Sequence, residues 1–229
     1  MASFADQRTA RAWGLLRGRL EWVLGMDPDA VLASSMGVED MLLLHALAGT
    51  TLHPAVLMLD TGRLHPETLR MVEVIRDRYG VTVEVWRPDS TEVEAHVAEH
   101  GEFAFYESLA LRKACCHIRK VEPLGRALAG HSAWITGQRR KFNPLAAWTS
   151  EQVWALVRAL DIPYNPLHDH GYPSIGCEPC TRAVRPGEDP RAGRWWWEQR
   201  DNLECGLHAG NLNGTHPTVV PRDVVNQRG

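Results

Sequence analysis

At 229 residues, with 44% hydrophobic and 23% charged side chains, the chain can bury one sizeable core and has the make-up of an ordinary globular protein. The formal net charge of −3 gives no sign of broad nucleic-acid or membrane binding, and no stretch has the apolar length to span a bilayer. The N-terminus lacks the apolar core of a signal peptide, so the expectation is a cytoplasmic protein whose thiols stay reduced.

Taken in chain order, AVLA (30–33) is short, apolar and suited to a buried strand. The loop after it, SSMGVED (34–40), sets Ser34, Ser35 and Gly37 ahead of a helix N-terminus, where free N–H groups and the helix dipole attract an anion such as phosphate. The same residues also read as an ordinary N-cap with an acidic first turn. EDMLLLHALAG follows with helical spacing and Gly49 as its end. AVLML (55–59) is the next strand, and LDTGRLHPET (59–68) puts Asp60, Gly62 and Arg63 just beyond it, with the glycine permitting close backbone approach to a ligand. A tight surface turn is the alternative reading of that loop. PETLRMVEVIRDRYG is helical and ends at Gly80, before strands at VTVEVW (81–86) and SAWIT (132–136). This alternation predicts an α/β fold, a mainly parallel twisted sheet covered by helices on both faces, with ligands bound beyond the carboxyl ends of the strands. Thr149 to Gln152 can form a capping box for a helix with the apolar stripe Val153, Leu156, Val157 and Leu160. Beyond it Pro and Gly recur every few residues, so regular structure should be sparse in a segment of that length. Nothing marks a second domain, and the chain is expected to form one domain over 1–229, with 201–229 as a mobile C-terminal segment.

The cysteines are Cys115-Cys116, Cys177-x-x-Cys180 and a lone Cys205 in ECGLH. Four thiolates as CC and CxxC meet the demand of a Cys₄ iron–sulfur cluster or a tetrahedral zinc. Adjacency favours the cluster, because neighbouring thiolates strain a chelate on one small ion, although zinc stays open. Basic residues crowd around the pairs: Arg119 and Lys120 after CC, Arg182 after CxxC, and Arg191 and Arg194 further on. They can offset an anionic cluster or hold a sulfate or phosphate.

In this order SSMGVED, LDTGRLHPET, CCHIRKVEPL, TGQRR, KFNPLAAWT, YNPLHDHGYPSIGCEPCTRAV, PGEDPRAGRWWWE and ECGLH resemble the assimilatory sulfonucleotide reductases, specifically the iron–sulfur adenosine 5′-phosphosulfate reductases, from about residue 34 to 208. The resemblance implies an adenine nucleotide α-hydrolase-like fold and a [4Fe–4S] cluster on Cys115, Cys116, Cys177 and Cys180. It implies Cys205 as the nucleophile that takes the sulfonate from adenosine 5′-phosphosulfate, with thioredoxin releasing sulfite from it. It also implies Lys120, Arg191, Arg194 and His208 as contacts to the phosphosulfate, Ser34, Ser35 and Gly37 as the modified pyrophosphate-type loop, and Asp60 and Gly62 as the adenosine-binding turn. A homo-oligomer is possible. Trp195 to Trp197 are expected to pack rather than to stack on a ligand. A reductase of the 3′-phosphorylated nucleotide, or an adenylating enzyme of the same superfamily, is the alternative; SSMGVED is poorer in glycine than the SGGxDS loop of the latter. A redox-sensing binding module is a third reading, in which Cys205 would be dispensable.

One departure stands out. Family members carry an arginine-containing substrate loop and a strand between TGxRR and the NPL motif, whereas here Arg140 runs straight into Lys141. Either the protein has lost this segment or the sequence as read omits it, and the intact TGQRR and KFNPL on either side favour the second. The departure puts in question a substrate role for Arg139 and Arg140 and the completeness of the sheet.

Overall fold

The computed structural model describes residues 6–50, 54–136 and 142–198. Four parallel strands form one sheet in the order β3-β2-β1-β4: β1 (Val31–Ser34), β2 (Ala55–Leu59), β3 (Val83–Trp86) and β4 (Trp134–Ile135). Val31 lies opposite Ala55 and Trp134, and Val56 opposite Val83. A further parallel bridge joins Ile135 to Phe142, just past the Arg140–Lys141 junction.

The strands read as nearly unbroken apolar runs because both faces are covered. On one face Leu32, Val56, Met58, Val83 and Ile135 pack with residues of α1 (Gln7–Met26), α2 (Val38–Ala48), α3 (Pro66–Tyr79) and α7 (Ser150–Ala159). On the other, Val31 and Leu57 meet Leu124, Ala127 and Leu128 of α6 (Glu122–Leu128). The period of two along each strand thus divides the core in two. Helix α2 is apolar nearly all round, with Met41 to Leu44 all buried, because α1 and α7 pack on it while its other side meets the sheet.

The predicted helices and strands are found within one to two residues of their expected ends, Gly49 and Gly80 stand as C-caps, and the Thr149/Gln152 capping box forms. The structure adds α1, α4 (Ser90–His100), α5 (Leu109–Cys116) and α6, which the sequence reading passed over. A π-helical turn, His117–Val121, joins α5 to α6. After α7 the chain runs through short 3₁₀ turns, Pro166–His170 and Glu178–Cys180, as the Pro and Gly content predicts. No helix among the described residues is long and apolar enough to cross a membrane.

Candidate functional site

The loops after β1 and β2 leave neighbouring strands at the carboxyl edge of the sheet. In the first, Asp40 is buried and its Oδ2 accepts hydrogen bonds from Ser35 N (2.6 Å) and Ser35 Oγ (2.7 Å), while Ser34 Oγ accepts from Met36 N (3.1 Å). Met36 has a φ of 62°, so the chain curls tightly into Gly37, the N-cap of α2. The turn therefore fills part of its own anion-attracting edge with the Asp40 carboxylate. Glu39 lies beside it, and burial raises its pKa.

In the second loop, Asp60 is held by Gly62 N (3.0 Å) and by Arg87 Nε from the end of β3 (3.0 Å). Gly62 has a φ of 70°, which a glycine adopts without strain, and a Cβ there would press to 3.3 Å from Arg119 Nη1. Buried Thr61 is the connector: its carbonyl accepts from Arg119 Nη1 (2.8 Å) and its Oγ1 lies 3.2 Å from Cys177 Sγ. Leu64 bridges Cys177 in antiparallel fashion, and Glu178 N donates to Arg63 O (2.8 Å). The β2 loop and the CxxC turn are thus one unit.

The four thiols, all free, line one cavity together with Arg63, Phe105, Arg112, Arg119, Lys120 and Trp195. Cys115 and Cys116 come from the end of α5. The wider turn that follows keeps Arg119 and Lys120 on the cavity side, and π turns of this kind recur at functional sites. Cys177 and Cys180 flank a 3₁₀ turn pinned by Thr181 Oγ1 to Cys177 O (2.9 Å) and Trp195 N to Cys180 O (3.1 Å). Tyr106 Oη donates to Pro179 O (2.6 Å), which brings an aromatic wall of Phe105, Tyr106 and Trp197 against that turn.

The thiols do not respond alike. Burial, with the charge of Cys177 beside it, pushes Cys180 up to about 12, and burial raises Cys115 despite Arg119. Burial would raise Cys177 too, but Lys120, Thr61 and Arg194 hold it below the ordinary thiol value. Four thiolates in one buried space need positive charge among them.

The structure thus brings Cys115, Cys116, Cys177, Cys180 and Lys120 together, with Asp60 and Gly62 in the adjoining loop. Arg194 is buried near Cys177: its Nη1 donates to Ile175 O (3.0 Å) and its guanidinium covers Trp195. Arg191 is exposed on the turn before it. Arg182, expected among the cations around the thiols, is turned away and pairs with Glu188 at 2.8 Å. Cys205, His208, Arg139 and Arg140 lie outside the described residues. The sequence reading missed Thr61 and Arg112. Fully buried Arg112 stands four residues before Cys116 on α5, a helical spacing that could have revealed it, whereas Thr61 is singled out only by its contacts.

The family model for the phosphoadenosine phosphosulfate reductase domain matches residues 29–141 and 140–183. The chain belongs to that family. The match divides at the Arg140–Lys141 junction, where the sequence departs from the family pattern. An adenosine 5′-phosphosulfate reductase of Burkholderia cepacia is 56% identical, covering 77% of this chain and 79% of the relative. One of Agrobacterium fabrum is 44% identical, covering 90% of this chain and 88% of the relative. Among solved structures, phosphoadenylyl-sulfate reductase of Candida auris superposes with a TM-score of 0.64 at 24% identity, covering 80% of this chain and 98% of that one. NMN synthetase of Francisella tularensis, at a TM-score of 0.51 and 16% identity over 69% of this chain and 73% of its own, shares the α/β layout alone. The family is an enzyme family, and the parallel sheet with its flanking helices follows that fold.

Proposed function

We propose that this chain reduces adenosine 5′-phosphosulfate to sulfite and AMP in sulfate assimilation, with thioredoxin as the reductant. The observation that carries the reading is the convergence of four free thiols on one cavity wired through Thr61 to a nucleotide-edge loop. The names of the 44–56% identical relatives support the unphosphorylated nucleotide as substrate.

The donor set fits a [4Fe–4S] cluster on Cys115, Cys116, Cys177 and Cys180: all four are thiols, none is disulfide-bonded, and cationic side chains adjoin them. Bound there, the cluster supplies the positive iron centres that buried thiolates require. The chain's own residues do the rest. Lys120 and Arg194, with Arg191 and His208, hold the phosphosulfate and stabilise the charge that moves onto AMP. Ser35 and Gly37 bound the space for the nucleotide at β1, and Asp60 and Gly62 bound it at β2. The Cys205 thiolate attacks the sulfur, the S–O bond breaks, and AMP leaves with that electron pair, giving a cysteine S-sulfonate. A thioredoxin thiolate then attacks Cys205 Sγ and expels sulfite with the S–S electron pair. The second thioredoxin thiol resolves the mixed disulfide, so two electrons come from the dithiol. A lone Cys205 suits this scheme, because a neighbouring thiol in the same chain would intercept the intermediate.

Intact-protein mass spectrometry after mixing with substrate and no reductant tests the scheme. A sulfonate adduct on Cys205 is expected. In Cys205→Ser the adduct vanishes and sulfite formation falls by several orders of magnitude, while iron content and nucleotide binding persist. An adduct on another cysteine, or appreciable sulfite from the variant, would sink it.

A further inference from the structure

The described chain ends at the wall of the thiol cavity in an arrangement that the reaction scheme does not use. Glu198 lies seven residues ahead of Cys205. Its Oε1 and Oε2 accept hydrogen bonds from Arg112 Nε and Nη2, both at 2.8 Å. This is a two-point pair with side-chain exposures of 0% for Arg112 and 9% for Glu198. Arg112 also sits 4.6 Å over the Trp195 ring, and Arg194 sits 4.7 Å from the same ring, so the indole is covered by two guanidinium groups. Arg112 is one helical turn before Cys116 and carries a hydrogen bond to it.

Two features mark this corner as held in place. Trp195 has a φ of 45°, a left-handed conformation that a bulky residue keeps only where its surroundings over-determine it. The turn then closes with Glu198 N donating to Trp195 O at 2.9 Å. A buried ion pair is weak as a source of stability compared with apolar packing, but its two-point geometry fixes direction well. From a fixed Glu198, a fully extended run of seven residues reaches at most about 25 Å, so the pair bounds where Cys205 can go.

We infer that Arg112 and Glu198 are a positioning pair. They fix the root of the C-terminal segment to the helix that carries Cys115 and Cys116, and so set the approach of Cys205 to bound nucleotide. The inference rests on the reading of Cys205 as nucleophile.

The test uses the cluster-loaded full chain in three forms, parent, Glu198→Gln and Glu198→Asp. Two rates are measured: trypsin cleavage after Arg200, and single-turnover sulfonate formation without reductant. In Glu198→Gln cleavage is expected to rise about tenfold or more, and adduct formation to slow by roughly ten- to a hundredfold. Iron content and visible absorption should match the parent. Glu198→Asp keeps the charge on a shorter arm and should show both changes at smaller size. Parent-like cleavage and adduct rates in both variants overturn the inference. So does loss of iron in Glu198→Gln, which would make the pair a support of the cavity alone. Absence of adduct even in the parent would strike the reading of Cys205 instead, while the cleavage comparison still measures the anchor.

Discussion

Lys120 is buried beside Cys177, and Arg194 is buried within electrostatic reach of the same thiol, so two cations from different segments of the chain act on it. Replacing Lys120, Arg191 or Arg194 by Ala should lower kcat/KM about tenfold or more, each loss removing one charge-assisted contact. Near-parental values in all three would mean that the phosphosulfate sits elsewhere. Gly176 is the complementary case: a Cβ there would collide with the Arg194 guanidinium. Gly176→Ala is therefore expected to displace the Arg194 guanidinium, which as the end of a flexible side chain can move at a stability cost of about 1 kcal/mol or less. Turnover should register the displacement, and parental kcat/KM would refute it. The cysteine pairs were legible in the sequence because their CC and CxxC spacing stands out, and the fold brings all four to one cavity. The Thr61–Cys177 and Arg112–Glu198 contacts were not, since their partners stand 116 and 86 residues apart and only folding brings them together.

At the scale of elements, α7 is the best specified helix, with Thr149 N accepted by Gln152 Oε1 at 2.9 Å and Gln152 N by Thr149 Oγ1 at 3.3 Å. Thr149→Ala should cost about 1 kcal/mol, seen as a lower unfolding midpoint with iron content unchanged. No change would mean that tertiary packing on α2 alone defines the helix start. Elements with a buried stripe were readable for the same reason that they are stable. Helix α4 has no fully buried residue, and Val93 with Val97 makes only one apolar pair at helical spacing, too short a stripe to read. Across CCHIRKV the π turn breaks the 3.6-residue repeat, which hid α5 and α6 although both matter to the site. Helix α1 was legible in principle, since Leu16, Leu20, Val23 and Leu24 recur at helical spacing.

For the whole molecule, acid is the sensitive direction. Burial depresses the pKa of His168, packed against Trp154 and Tyr164, and burial together with Arg78 depresses that of His45, which meets Tyr79 Oη at 3.0 Å. Both are favoured neutral in the folded state. Their contribution is fully present above the unfolded value of 6.5 and is lost as pH falls through 6.5 towards the depressed folded values. Tm should drop between about pH 7.5 and 5.5, and the double variant His45→Gln/His168→Gln should show a shallower drop. Equal slopes would remove these histidines as the cause. The thiol cavity has a different consequence, one of timing. Its walls come from residues 61–64, 105–120 and 177–195, and sixty residues separate Cys116 from Cys177. At about 5–20 residues per second, synthesis leaves the first cysteine pair without its partners for several seconds on the ribosome. During that interval two adjacent thiols have neither their cations from the later segment nor a cavity around them. The four thiols are thereby brought together only once the later segment is made, and oxygen has its best access to Cys115 and Cys116 while the protein is being born.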